Sequence, residues 1–203
     1  MDFLTAIKKL RAEDKRNFDQ TFDLIVNLKN YDLRTKPINL VVEMPKKFRD
    51  VKICAFLEGS SNEVDKVITK NEIPTWKEPK DIKKLAKEYD FFISSAKLMP
   101  AVATTFGKIL GPLGKMPNPK FGAVIMKEES SIIKEIADKF RKNVAIRPKE
   151  ASIKIAVGKE SMSDADINEN INAIYSAIVS SITKECIKSV LLKLTMTKPV
   201  KVI

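Results

Sequence analysis

Histidine is absent from this 203-residue chain. That removes the commonest general base, proton shuttle and imidazole metal ligand together. Cysteine occurs twice, as Cys54 and Cys186. Two thiols so far apart make neither a disulfide framework nor a close-spaced zinc site, and they read as lone thiols of a reduced compartment. No apolar run approaches the roughly 18 residues that a membrane span needs, so no membrane association is expected. The opening stretch MDFLTAIKKLRAEDKRNF lacks a positive start, an apolar block and a small-residue cleavage site, which predicts a cytoplasmic rather than a secreted protein. Acid is scarce relative to base: Asp and Glu total 26 against 37 Lys and Arg, a net charge of +11. A strongly basic chain without histidine points to a polyanion binder before it points to an enzyme.

Hydrophobic residues supply 44% of the chain, enough for a packed core in one large domain or two small ones. Phe3, Leu4, Ile7 and Leu10 are spaced for one face of a helix. Phe22, Leu24, Val26 and Leu28 alternate with Asp23, Ile25 and Asn27, the period of a half-buried strand. A second strand is expected at Ile38 to Met44. After Pro45-Lys46-Lys47 the pattern changes to apolar strands (VKICAFLE, YDFFISS) alternating with helices (PKDIKKLAKEY, MPAVATTFGKIL, ESSIIKEIADKF). SSNEVDKVITK reads as a further helix, and a short strand is expected near Ile73. Strands alternating with helices imply a parallel sheet covered on both faces. A second shift falls near Val144 to Lys149. Beyond it come the strand ASIKIAVG, a long helix in which Ile167, Ile171, Ile174, Ile178 and Ile182 recur, the strand SVLLKLTM and the closing KPVKVI.

The first segment is too small to bury a core alone, and the long final helix has an unpaired apolar face. Joining the two ends predicts one discontinuous domain, 1–47 with 145–203, built on a four-stranded sheet with two strands from each end. Residues 48–144 form an inserted α/β domain on two adjacent linkers, a hinge. The surplus charge is shared, net +6 on the joined ends and +5 on the insertion, so charge does not say which domain meets a partner.

Three segments carry candidate chemistry. GPLGKMPNPKFG holds Gly111, Gly114 and Gly122 with Lys115 and Lys120, which suit phosphate contact. Its spacing is not that of a Walker loop, and residue types alone favour a rigid connection between two helices. No strand of the insertion is followed by the glycines of a dinucleotide fingerprint; VKICAFLEGSSNEV offers only Gly59. In KRNFDQT, Phe18 lies among basic residues, able to stack on a base or to anchor a turn in the core, the latter slightly favoured on residue types. In KLTMTKP, Thr195, Met196 and Thr197 precede Pro199 at a strand end. Ser161 reads as a local cap near the long helix. No paired acid–base constellation is visible, so a nucleotide-dependent enzyme with a doubly wound domain is the rival reading, with a protein-binding scaffold a third.

YDFFISSAKLMPAVATTFGKILGPLGKMPNPKFGAVI followed by SIKIAVGKESMS resembles the large-subunit ribosomal protein L one family in its archaeal form, over nearly the whole chain and with the motifs in order. The resemblance implies a discontinuous split β-α-β domain similar to an RNA-recognition fold and an inserted three-layer, Rossmann-like α/β domain. It implies binding to the large-subunit ribosomal RNA stalk, assistance in releasing deacylated tRNA from the exit site, repression through the protein's own mRNA, no cofactor, and a monomer away from the ribosome. Carried over by position, the RNA-binding residues are Asn17, Phe18, Thr21, Asp23, Lys154, Ser189, Thr195, Met196 and Thr197. Asn17 stands where Lys is frequent, and Lys154 where histidine or another polar residue is frequent. Thr197 replaces the family's usual glycine, which is expected to weaken or shift that contact. The Lys/Arg-Gly-aromatic motif of RNA-recognition sheets is absent, so stacking of bases across the sheet face in that manner is not expected.

Overall fold

A computed structural model describes residues 2–13, 16–33, 35–76, 78–148 and 150–202, and every side chain among them except that of Lys184. Lys15 of KRNFDQT and Lys149 at the second pattern shift lie outside the described residues. The protein is mixed α/β with several sheets, and it divides into two compact units, Met1–Arg49 with Asn143–Ile203, and Asp50–Lys142.

The first unit begins with α1 (Phe3–Arg11), capped by the Asp2 carboxylate accepting from the Phe3 N–H at 2.8 Å. Lys8, Lys9 and Arg11 fall in its last turn, where the helix dipole favours cations. Its buried stripe, Phe3, Ala6, Ile7 and Leu10, packs into one core with α5 (Asp164–Ser181) and the inner faces of four strands. Those strands are β1 (Thr21–Leu28), β8 (Ser152–Lys159), β9 (Ile187–Leu194) and β10 (Val200–Lys201), in the order β10-β9-β1-β8. β1 lies antiparallel between β8 and β9, which are joined through α5. Burial alternates strictly along β1, so Phe22, Leu24, Val26 and Leu28 face the helices while Thr21, Asp23, Ile25 and Asn27 lie on the open face. α5 is capped by Ser163, whose Oγ accepts from the Asp166 N–H at 3.2 Å.

One sequence expectation fails here. β2 (Leu40–Glu43) does not join this sheet; it pairs antiparallel with β7 (Asn143–Ile146) as a separate ribbon. β1 is already flanked on both sides, so β2 has no free edge on it, and β10 takes the fourth place in the sheet. The ribbon sets the departing and returning chain side by side.

In the second unit, β3 (Ile53–Leu57), β4 (Lys66–Thr69), β5 (Phe91–Ser95) and β6 (Val124–Ile125) form a parallel sheet in the order β4-β3-β5-β6. Every residue of β3 and β5 is buried, as in a sheet covered on both faces. Cys54, Phe56, Ile68 and Phe92 meet α2 (Pro79–Glu88) and α3 (Met99–Leu110) in one cluster. Phe91 packs on Phe140 of α4 (Ser130–Arg141), their ring centroids 5.1 Å apart. SSNEVDKVITK is not a helix: Asp65 accepts from the Ile53 N–H at 2.7 Å, and the β-branched residues after it pair with β3 as β4. Ile73–Thr75 is a 3-10 turn and not a strand, since Pro74 supplies no ladder donor.

Candidate nucleic-acid interface

The chemistry gathers at the Thr21 end of the first unit's sheet. Three stretches far apart in sequence meet there, 17–21, 159–161 and 195–197. The Thr21 N–H donates to Thr195 Oγ1 at 3.1 Å. The Met196 N–H donates to Gln20 Oε1 at 3.3 Å. On the other side of β1, the Asp19 carboxylate accepts from the Ser161 N–H at 3.0 Å and from its hydroxyl at 2.9 Å. Lys159 stands 3.9 Å from the same carboxylate. The Glu160 N–H donates to the Gln20 carbonyl at 2.7 Å. These bonds hold the backbone around Phe18 and Met196, whose side chains stay 50% and 62% exposed. Leu113 and Met126 are exposed as well, so it is the gathering of Phe18 and Met196 at one end of one sheet, and not their exposure alone, that marks this end. Phe18 is therefore not a core anchor. It lines an open depression of about 520 Å³ together with Arg11, Arg16, Asn17, Asp19 and Ser161.

Arg11 braces this end from below. Its Nη1 donates to the Glu160 carbonyl at 2.7 Å, its Nη2 to the Met162 carbonyl, and its Nε pairs with Asp164 at 2.6 Å. The guanidinium also lies over the Phe22 ring, 5.8 Å from its centroid. Ser161 is not a helix cap as expected from its position: its hydroxyl is committed to Asp19, and Ser163 caps α5.

Of the residues singled out from the sequence, Asn17, Phe18, Thr21, Thr195, Met196 and Thr197 share this end. Thr197 closes the turn after β9: its Oγ1 accepts from the Leu194 N–H at 3.0 Å. Asp23 lies one pleat further along the open face, opposite Lys193. Burial pushes its carboxyl up, and the Lys193 charge opposes that shift. Lys154 and Ser189 are not at this end. Lys154 is opposite Ile25, with its ammonium 3.7 Å from Glu150. Ser189 is opposite Asn27, six residues from Thr21 and thus about 20 Å along the strand. There a second polar row crosses three strands: the Ser152 hydroxyl donates to Asn27 Oδ1 at 2.9 Å, and Asn27 Nδ2 donates to Ser189 Oγ at 3.0 Å. The open face thus carries two polar ends with Ile25 and Leu191 between them.

Asp19, Gln20, Glu160 and Arg11 were not singled out from the sequence. Their partners lie 140 to 176 positions away, and nothing in local spacing couples them. Lys115 is likewise reassigned. Its ammonium donates to the Ala86 and Tyr89 carbonyls at 2.8 and 2.7 Å, closing the C-terminus of α2, so it is held internally and not offered to phosphate. The loop carrying it joins α3 to β6, not two helices.

The architecture defines a two-unit, mixed α/β protein with a basic balance and one solvent-open sheet. Comparison with known proteins is specific about which: residues 9–198 match the Ribosomal protein L1p/L10e family. The large ribosomal subunit protein uL1 of Pyrococcus abyssi is 38% identical over 211 residues, covering 97% of this chain and 93% of that protein. Those of Nanoarchaeum equitans and Methanococcus vannielii are 33% and 36% identical, covering 97% and 94% of this chain and 97% and 92% of theirs. The chain belongs to this family of ribosomal proteins.

Proposed function

We propose that the chain is a structural, non-catalytic component of the large ribosomal subunit in the cytoplasm, and that it binds the ribosomal RNA stalk through the Thr21 end of its first unit. The carrying observation is the convergence of three distant segments that leaves Phe18 and Met196 exposed among hydroxyls and amides. The β8-α5-β9 connection with β1 between supports the RNA-recognition-like reading of this unit, and the doubly covered parallel sheet supports the Rossmann-like reading of the other. Structured RNA is read through shape, ribose hydroxyls and phosphates. The contact residues at this end, Asn17, Phe18, Thr21, Thr195, Met196 and Thr197, are neutral, and the charges of Arg11 and Asp19 are engaged internally, so short-range hydrogen bonds and apolar contact supply most of the affinity, with Arg16 and scattered lysines adding a salt-dependent part. Assistance to tRNA release at the exit site and repression through the protein's own mRNA follow from the same surface, the second by competition for one site. The protein acts as a monomer when not on the ribosome.

Binding to a ribosomal stalk fragment is the test, measured for the wild type, Phe18→Ala and Met196→Ala across a salt series. Loss of one aromatic stacking contact costs about 1–3 kcal/mol, so Phe18→Ala should weaken binding roughly 5- to 150-fold. The salt slope should fall well short of the about −8 to −10 expected if all eleven surplus charges neutralised phosphates. Equal affinity for all three proteins, or a slope of that full size, would remove the proposed surface.

A further inference from the structure

The second unit carries a cationic helix face that the stalk reading leaves unused. α2 buries Ile82, Leu85 and Ala86. At 100° per residue, the direction opposite that stripe is occupied by Lys80, Lys83, Lys84 and Lys87, all exposed. Lys84 stands 3.7 Å from Asp81, while no carboxylate of the described residues pairs with Lys80, Lys83 or Lys87. Four ammonium groups on one helical stripe match a row of phosphates in charge and in linear arrangement.

Beside the stripe lies a hollow of about 330 Å³, lined by Lys66, Thr75, Trp76, Asp81, Lys84 and Glu88. Lys84 belongs to both features. Trp76 is the only tryptophan in the chain, and it is half-buried. Its ring packs toward the buried Phe106, with centroids 6.0 Å apart. The Lys66 ammonium stands over the ring, 5.1 Å from its centroid. The Lys66 ammonium thus occupies a ring face of the indole that an entering base would take, and a phosphate offers it another partner. The hollow thus combines an aromatic face for stacking with two cations for phosphate. It also holds two carboxylates, Asp81 and Glu88, that can accept from the amino groups of a base.

We propose that this face of the second unit is a binding surface for single-stranded RNA, with phosphates along the α2 lysines and one base against Trp76. An acidic peptide would satisfy the lysines alone; the aromatic hollow is what favours a nucleic acid. The surface lies wholly within the second unit, so it stands or falls separately from the stalk reading.

The full chain is titrated with an eight-nucleotide oligoadenylate, following both Trp76 emission and the anisotropy of labelled RNA. Four neutralised phosphates predict a salt slope of about −2.8 for a single strand. The triple variant Lys80→Glu/Lys83→Glu/Lys87→Glu should quench little, bind at least tenfold more weakly and show a flatter slope, with an unchanged circular dichroism spectrum. A Lys→Gln version of the same triple should be intermediate. Phe18→Ala/Met196→Ala should leave the Trp76 response intact. The proposal is overturned if oligoadenylate does not quench Trp76, or if the triple variant quenches like the wild type. It is also overturned if the Phe18/Met196 double variant abolishes the response. Polyglutamate of equal charge acting as well as RNA would overturn it in favour of an acidic protein partner.

Discussion

Asn170 occupies a position in α5 where the apolar stripe of Ile167, Ile171, Ile174 and Ile178 would accept another isoleucine, and it is fully buried. Its Oδ1 accepts from the Lys46 N–H at 3.0 Å, and its Nδ2 donates to the Lys46 carbonyl at 3.0 Å and to the Val157 carbonyl at 2.9 Å. One side chain thus clasps the chain just beyond β2 to α5 and to β8. In Asn170→Ala the Val157 carbonyl is sealed away from water, so its loss of a partner costs about 1–3 kcal/mol. The two Lys46 groups lie nearer the surface, where water substitutes, and each lost bond there costs about 0.5–1.5 kcal/mol. The expected total is about 2–6 kcal/mol, a large part of the stability of an ordinary domain. Urea unfolding followed by far-UV circular dichroism measures it, and hydrogen exchange in 40–46 and 152–158 should rise first. Trp76 lies in the other unit, so its emission serves as an internal control. Asn170→Asp keeps the acceptor but turns a carboxylate toward two carbonyls, and it should cost more than alanine at pH 7. A loss below about 0.5 kcal/mol for Asn170→Ala would refute the assignment of this side chain as a clasp.

Asp23 gives a pH-dependent expectation. Its folded pKa is raised by burial, so its stability contribution is full below the unfolded value and falls as pH rises through the folded one. Asp23→Asn should therefore raise the thermal midpoint at pH 7 relative to the wild type and leave it nearly unchanged at pH 3; Lys193→Met, which removes the opposing charge, should steepen the wild-type loss with pH. Lys115→Met removes two charge-assisted bonds to the α2 C-terminus. At about 1.5–3 kcal/mol for each bond, it should destabilise the second unit by about 3–6 kcal/mol, read from Trp76 emission in urea, without weakening binding to a stalk fragment.

The elements legible in the sequence were those whose pattern is set by their own faces. β1 shows its period of two in Phe22, Leu24, Val26 and Leu28, and α5 its helical period in the isoleucines, because each buries one side against the same core. β3 and β5 are legible as unbroken apolar runs for the opposite reason, being covered on both faces. What was not legible depends on partners distant in the chain. The Ser-Ser-Asn start before Glu63 imitates a helix cap, but parallel pairing with β3 overrides that local preference and makes β4. β2 looks like any sheet strand, and only β7, about a hundred residues on, determines that it forms a ribbon. The same holds at the candidate interface. Phe18 and Met196 stand out by residue type, whereas Asp19 and Gln20 look like ordinary polar loop residues until Ser161 and Met196 are seen against them.

Thr197 shows how the turn after β9 accommodates a departure from the expected glycine. Glycine is required in a turn where φ is positive, and among the described residues the only non-glycine with positive φ is Asn30. The backbone at Thr197 is thus one that any residue can adopt. Its hydroxyl accepts from the Leu194 N–H at 3.0 Å, and its own N–H donates to the Leu194 carbonyl at 3.2 Å, so both the side chain and the main chain close the turn. That turn holds the Met196 peptide where the Gln20 amide can accept from it. Glycine at this position lowers the steric cost of close approach, whereas threonine lowers the entropy lost on ordering the turn. On the RNA-binding reading proposed above, the two residues serve contact at this strand end by opposite physical routes.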